Sequence, residues 1–258
     1  MLLAIDAGNT NTVFAVIEGE DIRCQWRAAT PASRTADEYV VWLTQLMDLE
    51  QIPSSDVGEA IISTVVPQAL YDLRRLCRDY FGCEPLVVGE GVELGIKVLL
   101  ERSTEVGADR LVNAVAAGDR YGGPLIAVDF GTATTFDVAD ANGDYRGGVI
   151  APGVHLSLEA LHMAAAKLPH IAVERPPRVV GDGTLEAMQS GVYWGYISLI
   201  EGIVGRIREE FSETNTSEMK VIATGGLAPL FAGGTDVIEH VDPDLTSRGL
   251  QLLHKRNS

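Results

Sequence analysis

Short apolar runs and polar turns alternate along the chain with longer segments in which apolar residues recur at helical spacing. Residues 2–5 and 13–17 are apolar runs on either side of a turn of small polar residues, which predicts a β-hairpin. Apolar positions three and four residues apart predict a helix over 36–49. The same criteria predict further strands at 60–66, 86–88 and 220–223, further helices at 71–81, 108–120, 156–167, 185–211 and 227–231, and a loop at 169–183.

The opening hairpin is repeated once in the chain. Residues 126–138 align with residues 3–15 without a gap, and both segments consist of an apolar strand, an Asp-x-Gly turn with small residues, and a second strand. A period this long is not that of a solenoid, so it predicts a duplicated domain. We place the boundary near 118–123 and predict two domains, over residues 1–118 and 119–258.

Composition and charge exclude several classes of protein. The chain has 258 residues, of which 46% are hydrophobic, and this suits one large domain or two ordinary ones. Because 36 acidic residues face 20 basic ones, giving a formal net charge of −16, no nucleic-acid partner is expected. No apolar run reaches the roughly 18 residues of a membrane span, and no basic segment precedes the first run, so neither a membrane segment nor a signal peptide is expected. Three cysteines without CxxC spacing favour the cytoplasm.

The two Asp-x-Gly turns are candidate phosphate-binding sites. Glycine lets the backbone approach a ligand, and exposed N–H groups with small hydroxyl or amide side chains can surround an anion. Asp6 and Asp129 would repel phosphate directly, but each can hold a hydrated divalent cation that bridges to it, or accept a proton from a nucleophile. A single turn of this kind is as readily explained as an ordinary hairpin turn. Two copies favour a polyphosphate site to which each hairpin contributes one turn.

Two other short segments combine glycine with polar residues. Asp109 and Arg110 begin the predicted helix at 108–120, where the carboxylate could act as a base and the guanidinium could bind an anion. The alternative is a helix-capping Asp beside a surface Arg. Gly225 and Gly226 follow a strand and would permit close approach of a flat ligand such as a purine, although a plain turn explains them equally well. The glycine-rich stretch 147–153 is interpreted as a structural turn.

Seven blocks, in order along nearly the whole chain, resemble one family. They are Asp6-Ala7-Gly8-Asn9-Thr10, Ser63-Thr64-Val65-Val66-Pro67, Gly107-Ala108-Asp109-Arg110, Asp129-Phe130-Gly131-Thr132-Ala133-Thr134-Thr135, Gly147-Gly148-Val149-Ile150-Ala151-Pro152-Gly153, Thr184-Leu185-Glu186-Ala187-Met188-Gln189-Ser190-Gly191 and Thr224-Gly225-Gly226. Singly they are weak, but jointly they resemble the type III pantothenate kinases, within the superfamily of actin, sugar kinases and heat-shock ATPases. The resemblance implies an α/β fold of duplicated ribonuclease H-like domains, each with a mixed sheet flanked by helices.

The resemblance also implies an activity, its ligands and the residues that bind them. It implies ATP-dependent phosphorylation of pantothenate, the first step of coenzyme A synthesis, in a cytoplasmic homodimer. The base would be Asp109, a monovalent cation (K⁺ or NH₄⁺) would lie at Asp129, and Mg²⁺ would be held through water by Asp6. The residues expected to bind the phosphates of ATP are Asp6, Ala7, Gly8, Asn9, Thr10, Asn11, Thr12, Val13, Gly131 and Thr132, with Gly225 and Gly226 near the nucleotide. The residues expected to bind pantothenate are Gly107, Ala108, Asp109, Arg110 and Thr184.

The sequence departs from the family just before the Gly107–Arg110 block. The family usually has a Tyr and an Asn-Pro pair there, whereas this chain has Leu99-Leu100-Glu101-Arg102-Ser103-Thr104. Leu100 therefore keeps open a kinase for another small hydroxyl compound. A second alternative is a non-enzymatic accessory transcriptional regulator of the same fold, which could lose Asp109 or one hairpin; both are intact here, and this favours the enzyme.

Overall fold

The computed structural model describes residues 1–31, 33–164, 171–212 and 219–258. The strands, in chain order, are β1 (Leu2–Ala7), β2 (Asn11–Glu18), β3 (Asp21–Ala29), β4 (Glu59–Thr64), β5 (Leu86–Val87), β6 (Leu125–Phe130), β7 (Ala133–Ala139), β8 (Tyr145–Pro152), β9 (Lys220–Gly225) and β10 (His240–Val241). The helices are α1 (Ala36–Leu49), α2 (Pro67–Arg75), α3 (Ala108–Tyr121), α4 (Val154–Ala164), α5 (Thr184–Glu210), α6 (Ala228–Ala232) and α7 (Leu245–Asn257). None of the helices in these described residues is long and apolar enough to cross a membrane.

The chain folds into two compact units. The first contains Met1–Ile96, Glu101–Ala116 and Asp244–Ser258, and the second contains Lys97–Leu100 and Ala117–Pro243. The helix α7 therefore belongs to the first unit although it lies far downstream in the sequence. The division at 118/119 stays a prediction.

Each unit is built on a five-stranded mixed sheet, and the two sheets have the same topology. The strand orders are β3-β2-β1-β4-β5 and β8-β7-β6-β9-β10. In both, the central strand pairs antiparallel with its hairpin partner and parallel with the strand that follows a helical crossover. Both sheets also have a register shift at the same place, after Val16 in β2 and after Val138 in β7. The predicted duplication is confirmed at the level of topology and of this local irregularity.

The gapless alignment of the two hairpins is wrong by one residue in their second strands. Ala7 pairs with Thr12, which leaves four residues in the first turn, whereas Phe130 pairs with Thr134, which leaves three in the second. The partner of Asp6 is Val13, and the partner of Asp129 is Thr135. The gapless alignment instead made Val13 equivalent to Phe136, because the turn residues are too similar to reveal the insertion.

The first sheet packs helices on both faces. Side chains of Ile5 and Phe14 point to the face covered by α1 and α2, where Tyr39, Leu43 and Leu73 complete the core. The boundaries of α1 agree with the prediction, and its start is fixed by a capping box in which Thr35 and Glu38 bond to each other's backbone N–H. The opposite face carries a small-residue core around Ala4, Ala15 and Ile61 against α3 and α7. Asp6 lies on this second face because side chains alternate along β1.

The second sheet has one large apolar face. Ile126, Val128 and Phe136 pack against α5 and α6, where Tyr193 and Phe231 are fully buried. Alternation along β6 places Asp129 on the opposite face. The two aspartates that end the central strands therefore lie on equivalent faces of equivalent sheets.

Several elements depart from the sequence prediction. The helix expected at 71–81 begins at Pro67, the first residue of α2, where a missing N–H costs nothing, and ends in a π-helical turn, Leu76–Tyr80. The stretch 147–153 was predicted to be a turn, but all of it except Gly153 lies within strand β8; its glycines and exposed apolar residues hid the strand pattern. The edge strand β3 and the helix α7 had no counterpart among the predicted elements. The ends of the predicted helix 156–167 and the start of the predicted loop 169–183 lie partly outside the described residues.

Candidate active site

The first Asp-x-Gly turn is an exposed loop closed by backbone hydrogen bonds. The N–H of Gly8 donates to the carbonyl of Asn11 at 3.0 Å, and the N–H of Thr30 donates to the carbonyl of Thr10 at 3.0 Å. Asn9, Thr10 and Asn11 are exposed. Thr12 is fully buried, with its hydroxyl 2.8 Å from that of Thr30. The exposed backbone and polar side chains of this turn can therefore meet an anion, while Thr12 supports the turn from below.

Asp6 has a buried serine beside it. Ser63 on β4 is in register with Asp6 on β1, so both side chains lie on the α3 face of the sheet. Ser63 is completely buried, and its hydroxyl has no hydrogen-bond partner among the described residues. A buried hydroxyl normally has a partner, so an orphan beside a carboxylate indicates a polar ligand that belongs there. Ser63 lies in a block that the sequence singled out, but its role depends on strand register and was not predicted.

Asp109 begins α3 at the edge where β1 and β4 end. The N–H of Val65, just after β4, donates to the carbonyl of Ala7 at 3.2 Å, and a Cβ on Gly107 would lie 3.3 Å from Val65 Cγ1. The segment Gly107–Arg110 is thus brought to the same edge as the first turn. The same Cβ would lie 2.6 Å from Oδ1 of Asp109, so only glycine leaves that carboxylate its position.

The environment of Asp109 suits a proton acceptor. Burial raises the pKa of its carboxyl above the ordinary value, and this is partly offset by the backbone N–H of Arg110 and by the charge of the Arg110 side chain. That N–H donates to Oδ1 at 2.8 Å and fixes the orientation of the group. A carboxylate with a raised pKa holds a proton more strongly than an exposed one, and this favours general-base chemistry near neutral pH.

The second Asp-x-Gly turn is held by a glycine that the sequence did not predict as part of the site. The N–H of Gly153 donates to the carbonyl of Thr132 at 3.1 Å. A Cβ on Gly153 would overlap that carbonyl oxygen and lie 2.7 Å from the carbonyl oxygen of Gly131. Thr30 holds the equivalent position in the first unit, where the longer turn leaves room for a side chain. Gly131 and Thr132 are exposed and can present their backbone to a ligand.

Gly225 lies directly against Asp129. The two residues are on adjacent strands, and Gly225 has a φ of +89°, a conformation that favours glycine. A Cβ there would lie 2.8 Å from Oδ1 of Asp129 and 2.7 Å from the carbonyl oxygen of Phe130. Gly226 faces open space. The structure therefore brings Gly225, Asp129 and the second turn together.

Thr184 is the first residue of α5 and lines a separate part of the second unit. It borders a mainly apolar cavity of about 780 Å³ between α4 and α5. Pro152, which immediately precedes Gly153, lines the same cavity, so the cavity adjoins the second turn. Its polar groups include Ser157 and Tyr196, whose hydroxyls are 2.6 Å apart.

Solved structures place this fold in a known class. A conserved Campylobacter jejuni protein described as a Baf family transcriptional activator aligns with a TM-score of 0.60 and 18% identity, covering 99% of this chain and 98% of that one. A Sinorhizobium meliloti protein described as a 2-dehydro-3-deoxygalactonokinase aligns with a TM-score of 0.58 and 12% identity, covering 99% and 96%. At these identities the likeness shows the fold alone. The fold is that of the actin-like ATPase and sugar-kinase superfamily, with duplicated ribonuclease H-like domains, as the resemblance implied.

Sequence comparison identifies the family. A sequence model of the type III pantothenate kinases matches residues 2–206. A Paramagnetospirillum magneticum protein named type III pantothenate kinase is 62% identical over 259 residues, which covers 100% of this chain and 98% of that protein. The chain belongs to the type III pantothenate kinase family.

Proposed function

We propose that the protein transfers the γ-phosphoryl group of ATP to the primary hydroxyl of pantothenate, giving 4'-phosphopantothenate in the first step of coenzyme A synthesis. Full-length similarity to the family supports the reaction. The observation that carries the mechanism is Asp109, which combines burial, a raised pKa and a fixed orientation at the edge where β1 and β4 end.

Asp109 acts as the general base. Its carboxylate accepts the proton of the hydroxyl as the hydroxyl oxygen forms its bond to the γ-phosphorus and the bond to the ADP oxygen breaks. Because the transition state of phosphoryl transfer is loose, positioning and charge neutralisation account for most of the rate, and one well-placed base is sufficient. Arg110 follows directly, and its guanidinium can pair with the carboxylate of pantothenate. Thr184 and Gly107 complete the proposed substrate contacts.

The two Asp-x-Gly turns bind the phosphates of ATP. In the first turn, the exposed residues Asn9, Thr10 and Asn11 supply N–H groups and neutral side chains, while the N–H of Gly8 closes the turn by donating to Asn11. In the second, Thr132 supplies its N–H and hydroxyl and Gly131 closes the turn by donating to Ala133, while Gly225 and Gly226 admit the nucleoside. A local arrangement of backbone amides explains how a chain with a net charge of −16 binds a polyanion.

The residues at both central aspartates fit the proposed cations. Asp6 with the unpartnered hydroxyl of Ser63 offers oxygen atoms that suit a hydrated Mg²⁺, and Asp129 suits a monovalent cation. When bound, these ions neutralise the charge of the phosphates. The protein holds both carboxylates in place. Asp6 is positioned by the register of β1 with β4, and Asp129 by the close approach of Gly225.

A homodimer in the cytoplasm is the proposed state. Several large apolar side chains are exposed on β8 and α4, and the cavity beside α4 is mainly apolar. These side chains are Val149, Ile150, Leu156, Leu161 and Met163. Exposed apolar side chains are candidates for an interaction surface, and a second copy of the chain is the occupant that the family suggests. All three cysteines are free, which agrees with a reducing compartment.

A coupled assay of ADP release tests the proposal. Pantothenate is compared with a panel of sugars and other small hydroxyl compounds, each with KCl and with an equal concentration of choline chloride. We expect turnover on pantothenate only, and faster turnover with KCl. The panel includes other hydroxyl compounds because Leu100 replaces the family's usual Tyr. Leu100 lies beside Gly147, where an added Cβ would be 3.3 Å from Leu100 Cδ2. Turnover on another member of the panel but not on pantothenate would contradict the proposal, and no turnover at all would favour a regulator.

A further inference from the structure

The second sheet contains a hydrogen-bonded polar trio, two of whose members are buried and one half-buried, that its duplicate lacks. The trio consists of Thr135 and Asp137 on β7 and Tyr145 on β8. Asp137 is only 1% exposed and Tyr145 is fully buried. The Tyr145 hydroxyl donates to Oδ1 of Asp137 at 2.7 Å, and the Thr135 hydroxyl donates to Oδ2 at 3.0 Å. The two bonds hold the carboxylate from both sides.

The corrected alignment shows what stands at the same positions in the first sheet. Val13, Ala15 and Ile22 are equivalent to Thr135, Asp137 and Tyr145, because their cross-strand partners correspond one by one. The topology therefore folds with three apolar residues at these positions. Burying a carboxylate is costly even when it is hydrogen-bonded, so the fold alone does not account for the trio.

One member of the trio lies directly opposite Asp129 across the β6–β7 pair. Thr135 is the cross-strand partner of Asp129, and opposite residues of an antiparallel pair point to the same face with their Cβ atoms about 5 Å apart. A threonine hydroxyl has one proton and two lone pairs. The Thr135 hydroxyl uses its proton in the hydrogen bond that it donates to Asp137. Its oxygen therefore has only lone pairs to offer to any other neighbour. Beside Asp129 it can accept a hydrogen bond or bind a cation, but it cannot donate.

We propose that Thr135 supplies a second oxygen, next to the Asp129 carboxylate, for the monovalent cation, and that Asp137 is the positioning residue that keeps the Thr135 hydroxyl an acceptor. The inference rests on the proposed function, which places such a cation at Asp129. A neutral hydroxyl oxygen next to one carboxylate is the kind of oxygen set that K⁺ accepts in place of water. The first sheet has Val13 at this position, so the arrangement distinguishes the cation site at Asp129 from the Mg²⁺ site at Asp6.

Thermal unfolding in the presence of Mg²⁺ and a non-hydrolysable ATP analogue tests the inference without turnover. The midpoint is followed as KCl replaces choline chloride at constant ionic strength, and the quantity compared is the apparent Kd of K⁺, obtained by fitting the stabilisation to RT ln(1 + [K⁺]/Kd). Thr135→Val removes the oxygen with little change of shape. Asp137→Asn lets an amide N–H donate to Thr135 and frees the hydroxyl proton. We expect both variants to need at least about tenfold more KCl, a factor that corresponds to the loss of one ligand of modest strength.

Two further variants separate cation binding from general damage. Thr135→Ser keeps the hydroxyl and should restore the wild-type KCl dependence. Thr134→Val changes the neighbouring threonine on the opposite face of β7 and should not alter it. The apparent Kd is fitted to the change of the midpoint with KCl rather than to the basal midpoint, so a destabilised Asp137→Asn variant remains informative.

The outcomes distinguish this inference from the proposed function. Wild-type KCl dependence in Thr135→Val and Asp137→Asn would overturn the inference, and so would a wild-type protein that KCl does not stabilise beyond choline chloride. Neither result would affect turnover on pantothenate by the wild-type protein, which the ADP-release assay measures separately.

Discussion

Substituting Gly107 by alanine should displace the proposed base without unfolding the protein. The added Cβ would lie 2.6 Å from Oδ1 of Asp109, whereas contacts of a Cβ are rarely closer than 3.4 Å and essentially never closer than 3.0 Å. The carboxylate must therefore retreat by roughly 0.4–0.8 Å, as judged against these contact limits. Because the obstructed atom is the end of a side chain, the backbone has no need to move. The retreat also strains the 2.8 Å hydrogen bond from the N–H of Arg110.

The catalytic cost should exceed the cost in stability. A misplacement of about 1 Å can lower the rate about 100-fold, so a shift of this size should lower kcat by roughly 10- to 100-fold. The KM for ATP should change little, because Gly107 belongs to the proposed pantothenate site. The ADP-release assay at saturating pantothenate gives kcat, and thermal unfolding gives stability. Gly107→Ala should lower the unfolding midpoint by only a few degrees.

The matched control is Gly118→Ala, in the helix α3 that begins directly after Gly107. A Cβ at Gly118 meets nothing within 4 Å, so alanine should stabilise α3 slightly, by up to about 1 kcal/mol, and leave kcat unchanged. Wild-type kcat in Gly107→Ala would refute the argument that the position of the Asp109 carboxylate limits the rate. A loss of kcat in both variants would instead assign the effect to the helix as a whole.

Three other substitutions test the site and the assembly. Asp109→Asn should lower kcat about 10²- to 10⁴-fold, and an unchanged kcat would exclude Asp109 as the base. In the wild type, kcat/KM should fall with decreasing pH, because only the ionised carboxylate accepts a proton. The fall should occur through a pKa above that of an ordinary aspartate, because burial raises the pKa of Asp109. Gly225→Ala should destabilise the protein more than Gly143→Ala. Both glycines have a positive φ, which costs alanine about 1–3 kcal/mol, but only at Gly225 would the added Cβ lie within 3 Å of backbone and carboxylate oxygens. Equal unfolding midpoints would contradict this. Met163→Glu should convert dimers to monomers in light scattering, since Met163 is 73% exposed among the apolar side chains of α4. Leu49→Glu, at an equally exposed position (78%) on α1, should not. Dimers in both variants would place the interface elsewhere.

The fold was predictable where one face of an element is fully apolar. The strands β1, β2, β6 and β7 and the helix α1 were predicted because their buried residues form runs or helical stripes. The strand β3 was not, because as an edge strand it alternates half-buried with charged, exposed residues. The strand β8 contains Gly147, whose φ of +112° accompanies the register shift next to it. Its glycines were therefore attributed to a turn.

The site was predictable as a set of motifs but not as a set of contacts. The sequence selected Asp6 and Asp129 because the Asp-x-Gly turn occurs twice, and Asp109 because it stands beside Arg110 at the start of a predicted helix. The roles of Ser63 and Gly153 depend on strand register and on a carbonyl approached from another strand, which spacing does not encode. The hydrogen bonds of Asp137 to Thr135 and Tyr145 likewise depend on how β7 and β8 pair.

The membership of α7 in the first unit has a consequence for how the protein is made. Leu250 and Leu253 share with α3 the covering of the sheet face that carries Ala4 and Ile61, so that face remains only partly covered until residues 245–257 have been translated. The second unit ends at Pro243 and has all its strands before then. Synthesis from the N-terminus would ordinarily let the first domain fold first. Here the upstream unit is completed last, and a nascent chain that stalls before α7 would expose an apolar sheet face to chaperones and proteases.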